Sequence, residues 1–465
     1  MTLLVGRTLG FQLLTAGVTV VLARLLTPAD YGLFAIALSV QLVGQNVAEL
    51  GLPAALVRMP EAPPADLQAA TTGFLLAITL PVALLLLFVA FALLPALDIY
   101  SDTVRVIAIT LAAVPIYATR AVPMAMMDRE MRFGRVAAVE AADTIGFNLF
   151  ALAAALAGAG VFSLAGAVPV GATLGAFLAW LTQRGALIPR FNLERVRPLI
   201  GFGSRVSVLG VLYLGRDLGY VTVIGALGGA PMAGFYGMAK RLFSFPTALA
   251  AAVARVMLPT LSQSGEERPA RTGRMLGQIA LACGLPLALV AGAIQPFISV
   301  VLGDEWLPTS EIVLYGSLAM LLGASVAAPI NSFCLAEGNP NRPVIAIAAE
   351  LVAGFLLTTV LIGPLNEVGV GVAMSAGAVV AAVILIAPTS QLVKTGAWKL
   401  MRVAAISFLA AAAAQLLDLD NDVIGLLIAL GVSGVVWIAL ALAFLRDDVM
   451  RAFAMGRSLM PGTAR

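Results

Sequence analysis

The 465-residue sequence contains no histidine. That excludes His-based general acid–base catalysis, His metal ligation and His proton relays. Charge is scarce as well: 11% of the residues are Asp, Glu, Lys or Arg, against roughly 25% in a soluble domain. Lysine occurs only at Lys240, Lys394 and Lys399. None of these closes a G-x-x-x-x-G-K-[ST] loop, which excludes a Walker-type ATPase. The net charge is only +3, and no basic stripe with interleaved aromatics is present, so no nucleic-acid partner is expected. Cys283 and Cys334 both lie in apolar runs and imply no disulfide framework. What fills the chain is apolar: 61% hydrophobic residues and a mean hydropathy of +1.00. This is the composition of an all-α integral membrane protein.

A spanning helix needs about 20 mostly apolar residues. Apolar runs bounded by charge, proline and glycine clusters predict fourteen spans, at about 3–24, 31–50, 72–94, 103–123, 136–158, 161–181, 204–226, 234–258, 274–301, 311–335, 343–363, 367–388, 401–417 and 422–445. The first run is too long for a signal-peptide core, and no A-x-A site precedes Leu25-Leu26-Thr27-Pro28, so it reads as a retained helix.

Charge orients these spans. The even-numbered turns carry Arg58, Arg129, Arg132, Arg135, Arg184, Arg190, Arg195, Arg197, Arg268, Arg271, Arg274, Arg342, Lys394, Lys399 and Arg402. With Arg446, Arg451, Arg457 and Arg465 of the tail, they hold nineteen of the 28 basic residues. The opposite turns flank only Arg24 and Arg105, but carry Asp98, Asp102, Asp304, Glu305, Glu367, Asp418, Asp420 and Asp422. By the positive-inside rule both termini are expected in the cytoplasm. The outside loops are all short, so no extracellular domain is expected.

The organisation is repetitive. Ala29-Asp30-Tyr31-Gly32-Leu33-Phe34-Ala35-Ile36-Ala37 is similar to Pro231-Met232-Ala233-Gly234-Phe235-Tyr236-Gly237-Met238-Ala239, about 202 residues later, and Ala141-Ala142-Asp143 matches Ala348-Ala349-Glu350 at a spacing of 207. Six helices return the chain to its starting side, so these are parallel repeats, a plan used by transporters with a cavity between two lobes. The expected division is a six-helix lobe over 1–181, a cytoplasmic inter-lobe loop over 182–203, a second six-helix lobe over 204–388, and a final helix pair with a cytoplasmic tail over 389–465.

The stretch Leu22-Ala23-Arg24-Leu25-Leu26-Thr27-Pro28-Ala29-Asp30-Tyr31-Gly32-Leu33-Phe34 resembles the signature after the first helix of bacterial polysaccharide-export flippases. Glu49-Leu50-Gly51-Leu52, Ala55-Leu56-Val57-Arg58, Gly234-Phe235-Tyr236-Gly237-Met238-Ala239 and Val256-Met257-Leu258-Pro259-Thr260-Leu261-Ser262 continue the likeness over nearly the whole chain. The resemblance is to the polysaccharide-transporter and O-antigen-flippase branch of the multidrug/oligosaccharidyl-lipid/polysaccharide (MOP) exporter superfamily. It implies a fold like that of the multidrug-and-toxin (MATE) exporters, and a substrate that is an undecaprenyl-pyrophosphate-linked oligosaccharide moved across the bacterial inner membrane, an O-antigen or exopolysaccharide repeat unit. It also implies membrane lipids, a polysaccharide polymerase and export machinery as partners. A sister branch flips lipid II. Arg7-Thr8-Leu9-Gly10-Phe11 is similar to its first helix, but Gln12-Leu13 stand where that branch has an Arg-Asp pair.

Ionisable residues inside spans are costly and usually face a cavity or a partner. Arg120, Arg205, Arg255, Glu49, Glu140 and Asp143 lie within about two turns of a cytoplasmic end, where snorkelling suffices. Arg216 and Asp217 fall in the middle of the seventh run, with Lys240 and Arg241 one to two turns into the eighth. Adjacent helical residues point about 100° apart, so Arg216 and Asp217 cannot both pair along their own helix, and one must face a neighbour or the cavity. Arg216 with Lys240 or Arg241 would form a cationic patch suited to a pyrophosphate. The competing reading is an Arg216–Asp217-type ion-pair network that only fixes helix packing. Gln41, Gln45 and Glu49 recur every four residues and form a polar stripe, either a cavity wall meeting sugar hydroxyls or interhelical hydrogen bonding. Asp217, Asp143 and Glu350 are candidates for a coupling-ion site or a structural role. No cofactor beyond such an ion is expected.

Three function classes remain at this point. A secondary transporter or flippase fits the repeat plan, the intramembrane charge and the missing ATPase motif. A membrane glycosyltransferase, polymerase or ligase generally needs larger periplasmic loops than these. A multidrug or cation antiporter would share the fold.

Overall fold

The computed structural model describes residues 15–59, 61–93, 101–183, 189–262, 267–337, 339, 341–446 and 450. Residues 3–14 of the first predicted span, including Arg7, lie outside them, as do Asp98, Arg184, Arg451, Arg457 and Arg465. Among the described residues the regular structure is helical, with no strand.

The first described helix is α1 (Thr15–Leu25). It is followed by α2 (Pro28–Glu49), α3 (Leu52–Arg58), α4 (Ala65–Leu93), α5 (Ser101–Leu111), α6 (Ala113–Arg129), α7 (Phe133–Leu156) and α8 (Val161–Thr182). Next come α9 (Leu193–Ser262), α10 (Arg268–Gly292), α11 (Ile294–Val301), α12 (Pro308–Leu322), a π-helical turn (Gly323–Ala327) and α13 (Ala328–Ala336). The series ends with α14 (Asn341–Ile386), α15 (Gln391–Gln415) and α16 (Val423–Phe444).

Among the described residues, eleven helical stretches are long and apolar enough to cross a membrane. Two of them are helical pairs joined by a sharp turn. The 70 residues of α9 would reach roughly 105 Å if straight, and the 46 of α14 roughly 69 Å, against a hydrocarbon core of about 30 Å. Each is broken by one left-handed residue: Gly229 (φ 80°, ψ 174°) in α9 and Asn366 (φ 49°, ψ −124°) in α14. The chain doubles back at Gly229, because the Tyr220 and Tyr236 rings stack with centroids 6.1 Å apart, where a straight helix would separate them by roughly 24 Å. At Asn366 the backbone also reverses, bringing Gly369 against the carbonyl of Leu361. Counted this way the spans match the fourteen apolar runs closely, with α1 as the described end of the first.

Local sequence explains where α2 starts. Thr27 accepts a hydrogen bond from the Asp30 backbone N–H at 3.2 Å, and the Asp30 carboxylate accepts one from the Thr27 N–H at 3.0 Å. With Pro28 in the first turn this is a capping box. The Thr-Pro-Ala-Asp segment of the family signature is therefore a helix-start device. At the other end Leu50 (φ 47°) and Gly51 (φ 63°) turn the chain into α3.

The chain divides into two compact units, Met1–Gly237 and Met238–Arg465. In the first, α3, α4 and α6 enclose a core of Leu52, Leu56, Phe74, Leu75, Val122 and Met126. The beginning of α9 belongs to this core, because Val196 is fully buried in it. The chain just before α9 is anchored alongside: the Arg190 N–H donates to the Ala69 carbonyl at 3.0 Å, Phe191 stacks on Phe74, and Arg195 pairs with Asp66. The second half of the 182–203 stretch is thus helical from Leu193. In the second unit α10, α15 and α16 pack closely around Ser407, whose hydroxyl donates to the Gly284 carbonyl at 2.9 Å and accepts from the Trp437 indole at 3.1 Å.

Candidate functional site

In the first unit the polar stripe of α2 is continuous. The Gln41 amide donates to the Gln45 carbonyl oxygen at 3.2 Å, and the Gln45 amide donates to Glu49 at 2.9 Å. Gln41 is buried, while Gln45 and Glu49 are half-buried. The stripe therefore runs as a chain of amides ending on a carboxylate.

Glu49 lies within electrostatic reach of Arg120 on α6. Arg120 in turn donates to the Asp143 carboxylate of α7 at 2.7 Å, with side chains 17% and 19% exposed. The guanidinium carbon sits 4.3 Å from the centroid of the Tyr117 ring, which adds a cation–π contact. Room for this pair comes from α8, where a Cβ on Gly175 would stand 2.6 Å from the Arg120 guanidinium and one on Gly171 would stand 2.6 Å from the Asp143 carboxylate. Two glycines one turn apart on α8 thus let two charged side chains enter between α6, α7 and α8.

Sequence reasoning took Arg120 as a residue near a helix end, and the structure makes it the centre of this cluster. Arg120 and Tyr117 are the functional candidates that reasoning missed. The available signal was that Arg120 and Asp143 fall on consecutive spans at similar distance from the same end.

Arg216 and Asp217 are in contact with each other. Arg216 Nε donates to Asp217 Oδ1 at 3.4 Å, so the two adjacent residues do pair along their own helix. The long arginine stem curls back across the 100° that separates the two Cβ directions. Both side chains are half-buried, 28% and 29% exposed. They belong to the first unit, whereas Lys240 and Arg241, both half-buried, lie at the beginning of the second. Glu350 is half-buried on α14. The side chains of Arg205 and Arg255 lie outside what the structure describes. No group of three or more Cys, Asp or Glu side chains that could hold a metal ion occurs among the described residues.

The second unit contains a cavity of about 330 Å³ lined by Leu242, Leu289, Ile294, Phe297, Leu426 and Leu430 among others. Its wall is apolar, so it suits a hydrocarbon and offers nothing to a charged group.

Residues 21–311 match the model of the polysaccharide biosynthesis protein family. A search of curated proteins finds no match. Among solved structures, the lipid II flippase MurJ in an inward closed conformation is similar at a TM-score of 0.72 and 14% identity, covering 94% of this chain and 98% of that one. An inward-facing multidrug-resistance MATE family transporter of the MOP superfamily is similar at 0.63 and 14% identity, over 85% of this chain and 94% of the other. A eukaryotic MATE transporter, AtDTX14, follows at 0.51 and 14% identity, over 84% and 90%. At such identities these structures establish the fold alone: an all-helical, multi-pass membrane fold of the MurJ and MATE kind. With the family match spanning more than half of the sequence, the chain belongs to the polysaccharide biosynthesis protein family.

Proposed function

We propose that this protein is a secondary transporter that flips an undecaprenyl-pyrophosphate-linked oligosaccharide, an O-antigen or exopolysaccharide repeat unit, from the cytoplasmic to the periplasmic leaflet of the bacterial inner membrane. It works by alternating access and has both termini in the cytoplasm. It carries out no catalytic step. Membership of a polysaccharide family supports the substrate class, and the flippase and transporter fold supports the activity. The observation that carries the reading is the polar content of an apolar spanning bundle: the hydrogen-bonded stripe Gln41–Gln45–Glu49 and the half-buried Arg120–Asp143 ion pair. Buried polar groups of this kind in spans are retained for a polar cargo or for ions.

In this reading Gln41, Gln45 and Glu49 meet sugar hydroxyls, while Arg216, Lys240 and Arg241 meet the pyrophosphate. Guanidinium groups match phosphate oxygens in bidentate fashion. Asp143, Asp217 and Glu350 couple transport to an ion or hold the packing. The apolar cavity beside Leu289 and Phe297 is chemically suited to part of a polyprenyl chain. Without a Walker motif, the energy comes from an ion gradient, the membrane potential or removal of product. A polymerase and export machinery are the expected partners.

Deletion tests the proposal. Surface polysaccharide should stop while lipid-linked intermediates accumulate on the cytoplasmic leaflet. Intermediates that reach the periplasmic leaflet and fail only to polymerise would show a polymerase instead. Arrest of peptidoglycan synthesis would show a lipid II flippase, and loss of cationic-drug resistance alone would show a multidrug exporter.

A further inference from the structure

The Arg120 cluster has more hydrogen-bonding capacity than the protein uses. A guanidinium carries five N–H donors. Among the described residues, Arg120 spends one on Asp143, and its face lies against Tyr117. Glu49 accepts from Gln45 through one oxygen, and Gln41 gives its amide to Gln45, with no donor to its own carbonyl oxygen among the described residues. These spare groups are not sealed in. The buried side-chain polar atoms without a partner lie elsewhere, on residues such as Thr103, Thr309 and Ser325. The result is two sets of partly spent donors and acceptors, at the half-buried Glu49 end of the α2 stripe and at the Arg120–Asp143 pair, within electrostatic reach of each other in a largely buried setting.

Two features decide which ligand suits it. Each sugar hydroxyl both donates and accepts, so a sugar ring uses Arg120 donors together with Glu49 and Gln41 acceptors. An anion uses only the donors. Charge then sharpens the choice. Against one guanidinium stand two carboxylates, Glu49 and Asp143, so the cluster has no net positive charge even when one of them holds a proton. A ligand carboxylate placed here would face at least one fixed carboxylate at close range in a medium of low dielectric.

We propose that Gln41, Gln45, Glu49, Arg120 and Asp143 form a glycan subsite of the first unit that accepts an uncharged sugar residue and rejects an acidic one, making this cluster a determinant of which repeat units are flipped. This rests on the flippase reading given above and adds the charge class of the sugar to it.

The test uses the full-length protein in proteoliposomes and two undecaprenyl-pyrophosphate-linked trisaccharides of equal length, one neutral and one containing a uronic acid. The wild-type protein should flip the neutral compound at least about ten-fold faster. Asp143→Asn removes one of the two carboxylates and takes the cluster from net negative to neutral. The ratio should then fall at least about ten-fold, with the uronic-acid compound gaining in absolute rate. Glu49→Gln, nearly isosteric and away from the ion pair, should shift the ratio in the same direction if Asp143→Asn folds poorly. A merely structural role for the pair would slow both compounds together and leave the ratio where it was, which would overturn the proposal. Equal rates for the two compounds with the wild-type protein would overturn it as well. Movement of neither compound by the wild-type protein would overturn the flippase reading itself.

Discussion

Gly32 and Gly234, repeat counterparts about 202 residues apart in the sequence, lie against each other's helix through their backbones. A Cβ on Gly32 would overlap the carbonyl of Ala230 and stand 2.9 Å from the Gly234 nitrogen. A Cβ on Gly234 would overlap the carbonyl of Pro28 and stand 3.1 Å from the Gly32 nitrogen. Pro28 and Ala230 are themselves counterparts at the same offset. The contact is reciprocal, residue for residue, as at a two-fold interface. The weak sequence repeat is thus a physical one at this crossing.

Substitution should expose that crossing. Gly32→Ala or Gly234→Ala must push two backbones apart, which costs at least the roughly 1–3 kcal/mol typical of overpacking. Either variant should show a lower apparent melting temperature in detergent. Gly323→Ala, where a Cβ meets nothing within 4 Å, should melt close to the wild type. Equal melting of all three would refute the close crossing.

The Arg120–Asp143 pair should behave as a coupled unit. Removing one partner strands a mostly buried charge, at a cost of about 1–3 kcal/mol once its partial exposure is allowed for. Arg120→Met/Asp143→Leu should recover most of that stability, because the stranded charge is gone. A double-mutant cycle on thermal stability measures this. Additive losses would mean that the two side chains do not depend on each other.

Arg216 offers a separable choice between binding and packing. If it meets the pyrophosphate, Arg216→Lys keeps charge, loses the planar fork, and loses most transport at normal membrane abundance. If it serves only its 3.4 Å pair with Asp217, Arg216→Ala should lower abundance, and Arg216→Ala/Asp217→Ala should restore it. Transport assayed beside abundance in the three variants decides. Normal transport by Arg216→Ala at wild-type abundance would end the substrate role.

Topology is open to direct test. Reporter fusions after Asp304 and Asp420 should read as periplasmic, and fusions after Arg132, Arg190 and Lys394 as cytoplasmic, following the nineteen-to-two split of basic residues. Reversal at any two of these positions would overturn the proposed orientation.

Much of the architecture follows from one-dimensional properties of the sequence. Bilayer thickness sets the length of an apolar run, so helix number and approximate boundaries are legible directly. A local device such as Thr27 with Asp30 marks a helix start within four residues. The nine-residue likeness between 29–37 and 231–239 likewise announces the repeat. Tertiary structure decided the rest. A spanning helix that is apolar on every side does not reveal its rotation about its own axis, so nothing in the sequence tells which way Arg120 faces. Its pairing with Asp143 depends on two separate helices and on the space left by Gly171 and Gly175 on a third. For the same reason the contact of Gly32 with Gly234 was invisible as a contact, although both glycines stood in the repeat. Whether Arg216 and Asp217 pair was open in the sequence, because Cβ directions constrain a short side chain and a long flexible one reaches past them.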